Sequence, residues 1–149
     1  MARAGAKDRK AGGAKVARYE VLATFRARLR EFLAFSDRAS ARMGITQQQY
    51  QALLALRAHT DARPLSIRGL AALLLIKHHS AVGMVDRLEK EGLVRREPSS
   101  LDGRVVAVRL TAHGAKTIGK LSAVHREELR RIAPAFRRLM SFLAKPDPE

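Results

Sequence analysis

Five histidines are the side chains of this sequence best suited to bind a metal ion or to transfer protons, but their spacing supports neither role. His78 and His79 are adjacent, so on a helix they would point about 100° apart, whereas a helical zinc site needs both ligands on one face. His59, His113 and His125 have no carboxylate pattern around them, and we interpret them as surface or capping residues. We therefore expect no metal site.

Catalytic motifs are also missing from the sequence. It contains no cysteine, which excludes disulfides, thiolate zinc sites and thiol nucleophiles. It contains no glycine-rich phosphate loop, no Gly-x-Ser-x-Gly motif and no His-Glu-x-x-His motif. We expect a protein that is not an enzyme and that has no cofactor.

Positive charge is the dominant chemical property of the chain. Its 149 residues include 29 Lys and Arg against 14 Asp and Glu, a formal net charge of +15. This excess indicates a polyanionic partner, and the length fits one ordinary domain. The longest apolar run, residues 70–76, is far shorter than the roughly 20 residues of a membrane span. No signal-peptide pattern follows the basic start, and we expect a cytoplasmic protein with no membrane partner.

The elements that must position these charges begin after a basic segment. Residues 1–17 are Ala, Gly and mostly basic residues, and this composition predicts a flexible arm. The arm is either an additional phosphate-binding extension or an ordinary solubilising tail. Apolar residues at helical steps then predict a helix up to Gly44. Its stripe consists of Tyr19, Leu22, Phe25, Leu29 and Phe32.

Capping signals predict three short helices after this first one. Thr46 and Gln49 form a capping box that starts a helix running toward His59, and Ser66 is suited to cap the next. A break near residues 76–78 precedes a fourth helix, whose inward residues are Val82, Val85 and Leu88 and whose C-cap is Gly92.

A hairpin and two further helices complete the prediction. Alternating residues at 94–97 and 105–110 flank a turn-rich segment, which predicts a two-stranded hairpin. Thr111 caps a long helix that continues to about Arg131. Pro134 suits the first turn of a last helix. The order is typical of a winged helix-turn-helix, in which a helix pair and a hairpin straddle DNA.

The solvent face of the fourth helix is the predicted recognition surface. His79, Ser80, Gly83 and Arg87 lie on this face, with His78 at its entrance, and a major groove is wide enough to admit such a helix. Inside a helix, a glycine at position 83 lowers the stability by about 1 kcal/mol relative to alanine. Either close approach to a base pair or the lack of any packing demand explains it, and we favour close approach. Arg87 either reads bases or only pairs with an acid such as Asp86 or Asp102.

The hairpin tip is the second predicted contact with DNA. In the sequence Asp102-Gly103-Arg104, the glycine would take a positive φ and the arginine would project into a minor groove. Arg95, Arg96 and Arg109 on the strands are predicted to hold phosphates, each adding about −0.9 to the slope of log affinity against log salt.

The stretch from Val82 to Gly114 resembles the MarR family of winged-helix transcription regulators. It reads VGMVDRLEKEGLVRREPSSLDGRVVAVRLTAHG, and the Asp-Arg-Leu-Glu, Gly-Leu-Val, Asp-Gly-Arg and Leu-Thr-x-x-Gly segments match in order. With the flanking helices the resemblance covers roughly residues 19–143. Asp86 and Arg87 match the pair that ends the recognition helix, and Asp102 and Arg104 match the wing pair. Gly83 departs from the family, in which a larger residue is common.

The resemblance implies a homodimer built from the terminal helices that represses nearby genes until a ligand releases it. The predicted fold is mainly α with a small β-hairpin wing. After the arm, residues 18–149 form a single winged-helix domain, with the DNA-binding lobe at about 46–111 and dimerisation helices at about 18–44 and 112–144. Apolar stripes independently predict the dimer interface. They consist of Leu22, Phe25, Leu29, Phe32, Phe136, Leu139, Met140 and Leu143.

The expected partners are double-stranded DNA, a second copy of the chain and a small aromatic or anionic effector in a cleft between the terminal helices and the DNA-binding lobe. Two-fold symmetry predicts a pseudo-palindromic operator. The alternative is a sequence-neutral nucleic-acid packaging or RNA-binding protein. The lack of Trp and the placement of most aromatic residues in helix stripes favour duplex DNA over RNA.

Overall fold

The computed structural model describes residues 4–59 and 62–145, and within these ranges it contains five helices and three short strands. The mainly helical fold with a small wing is therefore confirmed. The elements are α1 (Ala4–Arg42), α2 (Gln47–Ala58), β1 (Leu65–Ser66), α3 (Ile67–Leu74), α4 (His78–Lys90), β2 (Val94–Pro98), β3 (Val106–Leu110) and α5 (Ala112–Leu143).

Side-chain caps start the two short helices that precede α4, as the sequence predicts. Gln49 N donates to Thr46 Oγ1 at 3.1 Å, and Thr46 N donates to Gln49 Oε1 at 2.8 Å, which completes the capping box of α2. Gly69 N donates to Ser66 Oγ at 3.1 Å at the start of α3. These bonds satisfy backbone donors that have no partner within the helix.

Glycines with positive φ follow α1 and α4. Gly44 has φ +76° two residues after α1 ends. Gly92 has φ +71°, and its N–H and that of Leu93 return to the carbonyls of Glu89 and Leu88, each at 2.9 Å. This is a Schellman arrangement, in which the left-handed residue turns the chain away from the helix and toward β2.

The wing is the larger part of a three-stranded antiparallel sheet in the order β1-β3-β2. Val94 pairs with Leu110 and Pro98 with Val106 along the hairpin, and Leu65 pairs with Val108 on the other edge of β3. β1 cannot be predicted from the sequence, because two residues are too few to leave a period-two pattern.

The first helix begins earlier than expected. Residues 4–17, predicted as a flexible arm, belong to α1, and residues 1–3 lie outside the described part of the chain. The segment is rich in alanine, the residue with the highest helix propensity. Because a helix that has already nucleated extends at little cost, the helix that carries the stripe from Tyr19 onward continues toward the N-terminus.

The last two predicted helices are a single one. α5 runs from Ala112 to Leu143 with Pro134 inside it. Proline removes the donor for the carbonyl of Arg130, yet the apolar residues on either side of it hold the helix together. Ile132 is buried, and Phe136 packs edge-on against Phe25 with ring centroids 4.9 Å apart.

The chain divides into two compact units. One, the winged lobe, spans Ser36–His125, and the other, the helical unit, consists of the chain up to Phe35 and from Arg126 onward. The lobe is therefore wider than the predicted 46–111. The C-terminal end of α1 belongs to the winged lobe because it contributes the buried Ala39 and Ser40. The N-terminal part of α5 belongs to it because it contributes the buried Ile118 and Leu121.

The core of the winged lobe contains a buried histidine, although His125 was interpreted as a surface or capping residue. Its Nδ1 lies 2.8 Å from the Leu121 carbonyl and its Nε2 lies 2.8 Å from Ser36 Oγ. A carbonyl only accepts, so Nδ1 carries a proton, and in the neutral ring Nε2 accepts from the serine hydroxyl. The ring stacks on Tyr50 at 4.2 Å. Burial raises the pKa of the Tyr50 hydroxyl.

Gly114, in the Leu-Thr-x-x-Gly segment, lies where the start of α5 meets the end of the α4 turn. A Cβ built on it would lie 2.0 Å from the Leu93 carbonyl oxygen. Thr111 fixes this approach, because its Oγ1 donates to Gly92 O at 2.6 Å and accepts from Gly114 N at 3.0 Å. The glycine therefore allows a backbone contact that no other residue would permit.

Candidate nucleic-acid interface

Helix α4 presents one buried face and one polar face. Its buried residues are Ala81, Met84, Val85 and Leu88. Among the predicted recognition residues, His78, His79, Ser80 and Arg87 are exposed and Gly83 is half-buried. All five of them thus lie off the buried face and together on one helix, which is the arrangement that the spacing predicted.

The first turn of α4 carries positive charge without a compensating acid. Lys77 is the N-cap residue and makes no side-chain cap hydrogen bond, and the first turn holds no acidic residue. A helix N-terminus favours negative charge. Lys77 and the partial positive charge of the helix N-terminus therefore give this end of α4 a positive potential that suits an anion.

No contact within the described chain requires a glycine at position 83. A Cβ built there would meet only Arg87 Nη1, at 3.6 Å, which is an ordinary van der Waals distance. The protein itself would tolerate alanine at this position. If the glycine is required, the requirement comes from a molecule outside the chain.

Arg96 connects the hairpin to α4. Its Nη2 lies 2.5 Å from Asp86 Oδ1, its Nη1 lies 2.5 Å from Glu89 Oε2, and its backbone N donates to Glu89 Oε1 at 3.0 Å. The pKa of Arg96 is raised, chiefly by the hydrogen bond to Asp86. With two carboxylates around one guanidinium, this position does not offer the free charge predicted for a phosphate contact.

Arg95 and Arg109 are paired with an acid as well. They lie opposite each other in the hairpin register. Arg95 Nε donates to Glu97 Oε2 at 3.0 Å, and Arg109 Nε lies 2.5 Å from Glu97 Oε1. Arg95 and Arg109 both lower the pKa of the Glu97 carboxyl, and the hydrogen bond from Arg95 has the larger effect. One carboxylate between two guanidiniums reduces their mutual repulsion.

The wing tip closes through a side chain rather than through the glycine. Asp102 Oδ1 accepts from Arg104 N at 3.0 Å, and Val105 N donates to Asp102 O at 3.0 Å. Gly103 does not adopt the left-handed region, contrary to the prediction. The Asp102 carboxylate itself takes the backbone donor that the turn exposes. Arg104 is exposed and projects from this tip.

Arg87 and Arg104 are the exposed arginines of this surface that keep their charge available. Within the described ranges, neither has an ion pair, so the alternative in which Arg87 pairs with Asp86 or Asp102 is not observed; Asp86 binds Arg96 instead. Sequence reasoning missed Glu89 as a structural partner. The signal was available, since Asp86 and Glu89 are three residues apart and thus share one face of α4.

The residues predicted for a dimer interface fall into two groups in the helical unit. Phe25, Leu29, Phe32 and Phe136 are half-buried and Leu139 is only 8% exposed, so this group contributes to packing within the chain. The exposed group consists of Leu22 at 44%, Met140 at 63% and Leu143 at 60%. Further exposed apolar residues of this unit are Val16, Tyr19, Leu33 and Leu129.

In residues 4–59 and 62–145, no group of three or more His, Asp or Glu side chains is arranged to hold a metal ion. None of the helices in those ranges has the length and apolar character needed to cross a bilayer.

Comparison with known proteins identifies the winged lobe. Residues 43–105, which run from the end of α1 to the wing tip, match the model of the MarR family. This part of the chain is similar to the MarR family. The transcriptional activatory protein BadR of Rhodopseudomonas palustris is 34% identical over 77 residues. That match covers 52% of this chain and 44% of BadR, so this chain spans less than half of that relative's length.

Solved MarR-family structures have the same fold. A variant of MepR from Staphylococcus aureus, bound to an oligodeoxyribonucleotide, superposes with a TM-score of 0.63 at 23% identity. The match covers 78% of this chain and 82% of the MepR chain. CouR from Rhodococcus jostii, bound to p-coumaroyl-CoA, gives a TM-score of 0.62 at 23% identity, with 80% and 87% covered. At this identity the likeness shows the fold alone, which is a winged helix.

Proposed function

We propose that this protein is a transcription regulator that binds double-stranded DNA sequence-specifically as a homodimer. The observation that carries the proposal is the polar face of α4, from His78 to Arg87, exposed beside a wing whose tip presents Arg104. The proposal includes no catalytic step, in keeping with a family of transcription regulators.

In this proposal α4 enters a major groove, which is wide enough for a helix. Ser80, Gly83 and Arg87 would then face the base edges, and Arg87 has the donor fork that suits a guanine. His78 and His79 lie at the positively charged start of the helix and would contact the phosphate backbone.

Arg104 at the wing tip would enter the adjacent minor groove, whose negative potential attracts arginine. Arg96 has a different role from the one that the sequence suggested. Its bonds to Asp86 and Glu89 hold the hairpin against α4, so we assign it the positioning of the wing relative to the recognition helix. Glu97 similarly fixes the two arginines of the strands.

The homodimer is supported by the exposed apolar residues of the helical unit. Leu22, Met140 and Leu143 are each at least 44% exposed, and a second copy would remove such residues from water. A two-fold dimer would hold two recognition helices about 34 Å apart, the rise of one DNA turn, so the operator would be pseudo-palindromic.

The direction of regulation and its signal complete the proposal. We propose repression, relieved by a small aromatic or anionic effector, because this is what the family resemblance implies. BadR is named an activator and CouR was solved with p-coumaroyl-CoA. A reporter gene driven by the protein's own upstream region separates the two directions, since deletion of a repressor raises expression and deletion of an activator lowers it.

The central test is competition between specific and bulk DNA. Fluorescence anisotropy would be measured with a labelled fragment from the region upstream of the gene, challenged with the same unlabelled fragment or with sonicated genomic DNA. A regulator should prefer its fragment by about 10³-fold or more. Equal competition would instead establish the sequence-neutral packaging protein, which the family match does not favour.

A further inference from the structure

The turn between α3 and α4 contains a leucine in a conformation that leucine rarely adopts. Leu75 has φ 54° and ψ 40°, in the left-handed region, and across residues 4–59 and 62–145 it is the one non-glycine residue with a positive φ. This conformation brings the Cβ close to the following carbonyl oxygen, which disfavours most residues other than glycine. The backbone at this position would therefore be less strained with a glycine.

Hydrogen bonds around Leu75 show why the chain is left-handed here. The Leu75 N–H donates to the Ala72 carbonyl at 3.3 Å, and the Ile76 N–H donates to the Ala71 carbonyl at 3.0 Å. These two bonds form a Schellman motif at the end of α3, the same arrangement that Gly92 forms after α4. The chain thus has a glycine where α4 ends and a leucine in the equivalent place where α3 ends.

Packing within the protein does not offset the strain at Leu75. The residue is 93% exposed, so its side chain gains almost no stabilisation from burial. An exposed leucine is common by itself, but this one also holds the backbone in an unfavourable conformation. Because both costs belong to one residue, the leucine side chain is best explained by a contact with a partner.

The position of Leu75 in the fold points to DNA as that partner. Leu75 lies two residues before Lys77, the N-cap of α4, and three before His78, the first residue of this helix. In helix-turn-helix proteins the N-terminal residues of the recognition helix contact base edges, so a residue of the preceding turn lies at the mouth of the same groove. Lys77 and the helix N-terminus attract the negatively charged duplex to this side of the lobe.

We propose that Leu75 contacts the 5-methyl group of a thymine in the major groove and thereby helps to select the operator sequence. An apolar side chain gains nothing from a phosphate oxygen, whereas the thymine methyl is an apolar group that a base edge presents in this groove. The proposal rests on the DNA binding of the proposed function, and it adds a specificity-determining residue outside α4. It predicts a thymine at the same position of each half-site.

The test compares thymine with uracil in the same DNA, because uracil lacks only the 5-methyl group. The upstream fragment is amplified with thymidine or with deoxyuridine triphosphate, and anisotropy titrations of the full chain give the ratio of the two dissociation constants. The unmodified chain should bind the uracil fragment about fourfold more weakly, the equivalent of one buried methyl group. Leu75→Ala keeps the Cβ but removes the contact, so it should bring this ratio toward one.

Two further variants separate the side chain from the backbone. Leu75→Gly should also lose the preference for thymine, yet it should raise the midpoint of thermal unfolding by about 2–4 °C because glycine relieves the left-handed strain. Leu54→Ala removes a leucine that is 43% exposed on α2, and it should keep the ratio of the unmodified chain. A ratio reduced in Leu75→Gly but not in Leu75→Ala would assign the effect to the backbone and contradict the proposal.

The remaining outcomes distinguish other partners of Leu75. Weaker binding by Leu75→Ala with an unchanged uracil ratio would indicate a deoxyribose contact and overturn the thymine assignment. Unaltered DNA affinity with altered expression of the reporter gene would indicate a protein partner and overturn it as well. Equal competition by bulk DNA would contradict the proposed function and the thymine contact together, whereas preferential binding of the upstream fragment with the same ratio in every variant would contradict the thymine contact alone.

Discussion

The two units of the chain differ in how completely they bury their own apolar residues. The winged lobe encloses a core of side chains with almost no exposure, among them Leu53, Leu70 and Leu88. The helical unit buries Ile132 and Leu139 but leaves Leu22, Met140 and Leu143 largely exposed. The winged lobe thus covers most of its apolar residues by itself, whereas the helical unit leaves several of them in contact with water.

Their ion pairs differ in the same sense. In the helical unit the short pairs Arg28–Glu31, Arg130–Glu127 and Arg131–Glu128 join residues three apart on one helix, and a longer contact of 3.9 Å between Arg131 and Glu31 joins α5 to α1. In the winged lobe Arg96 joins β2 to α4, and Arg109 reaches across the hairpin to Glu97. Local pairs stabilise a single helix, while pairs between elements fix the relative geometry of the recognition surface.

The largest expected effect tests how tightly the winged lobe is packed. Gly114→Ala should lower the free energy of unfolding by at least about 2 kcal/mol, because the new Cβ would overlap the Leu93 carbonyl. Gly119→Ala is the control on the same helix, where a Cβ meets nothing within 4 Å, and it should raise stability by about 0.5–1 kcal/mol. Urea unfolding followed by circular dichroism gives both values; equal effects would mean that the backbone contact is absent.

The second prediction concerns the incomplete burial of the helical unit. Met140→Glu should raise the dimer dissociation constant by about 10- to 100-fold, because a charge would be buried at the interface. Leu75→Glu changes an apolar residue that is 93% exposed in the winged lobe, and it should leave dimerisation unchanged. Sedimentation velocity at several concentrations distinguishes them. A dimer insensitive to Met140→Glu would place the interface elsewhere.

The third prediction separates charges that bind DNA from charges that do not. Arg104→Ala should weaken binding of the upstream fragment about tenfold and reduce the salt slope by about 0.9. Arg137→Ala, which removes an exposed charge from the helical unit, should leave both quantities nearly unchanged. Anisotropy titrations between 50 and 200 mM salt, about the range over which phosphate contacts are lost, measure them. An unaltered slope in Arg104→Ala would refute the wing assignment.

The fourth prediction decides why residue 83 is glycine. Gly83→Ala should stabilise the protein by about 1 kcal/mol, because it removes a helix-interior glycine without a clash inside the chain. The same variant should bind the upstream fragment about threefold to tenfold more weakly if α4 approaches a base pair closely. A stabilised variant with undiminished affinity would show that the glycine reflects only the lack of a packing demand.

The smallest effect is a pH dependence in the winged lobe. The folded-state pKa of Glu97 is lowered, first by Arg95 and then by Arg109, so its contribution to stability is present above the unfolded pKa of about 4.3. This contribution is lost as the pH falls through the folded pKa. Unfolding measured from pH 6 to 3 should therefore depend less on pH in Glu97→Gln, and Glu91→Gln, an exposed acid outside these pairs, serves as the control. Identical profiles for both variants would contradict the role of the pair.

Local chemistry was readable from the sequence by itself. The capping box at Thr46, the Ser66 cap and the Gly92 turn involve residues at most five apart, so the pattern of residue types determined them. The apolar spacing of α4 correctly placed Val85 and Leu88 on the buried face, although Val82 is only half-buried and Ala81 and Met84 are buried in addition. The linked motifs around the hairpin pointed to the family.

Contacts between distant segments were decided only by the tertiary structure. The two residues of β1 become a strand because β3 supplies partners for them more than 40 positions later. Arg96 is bound by two carboxylates because folding brings Asp86 and Glu89 to it. Likewise, Leu139 is buried while Met140 is exposed. The physical reason is common to all three: burial and ion pairing depend on what another part of the chain brings within a few ångströms, and residue spacing alone does not contain that information.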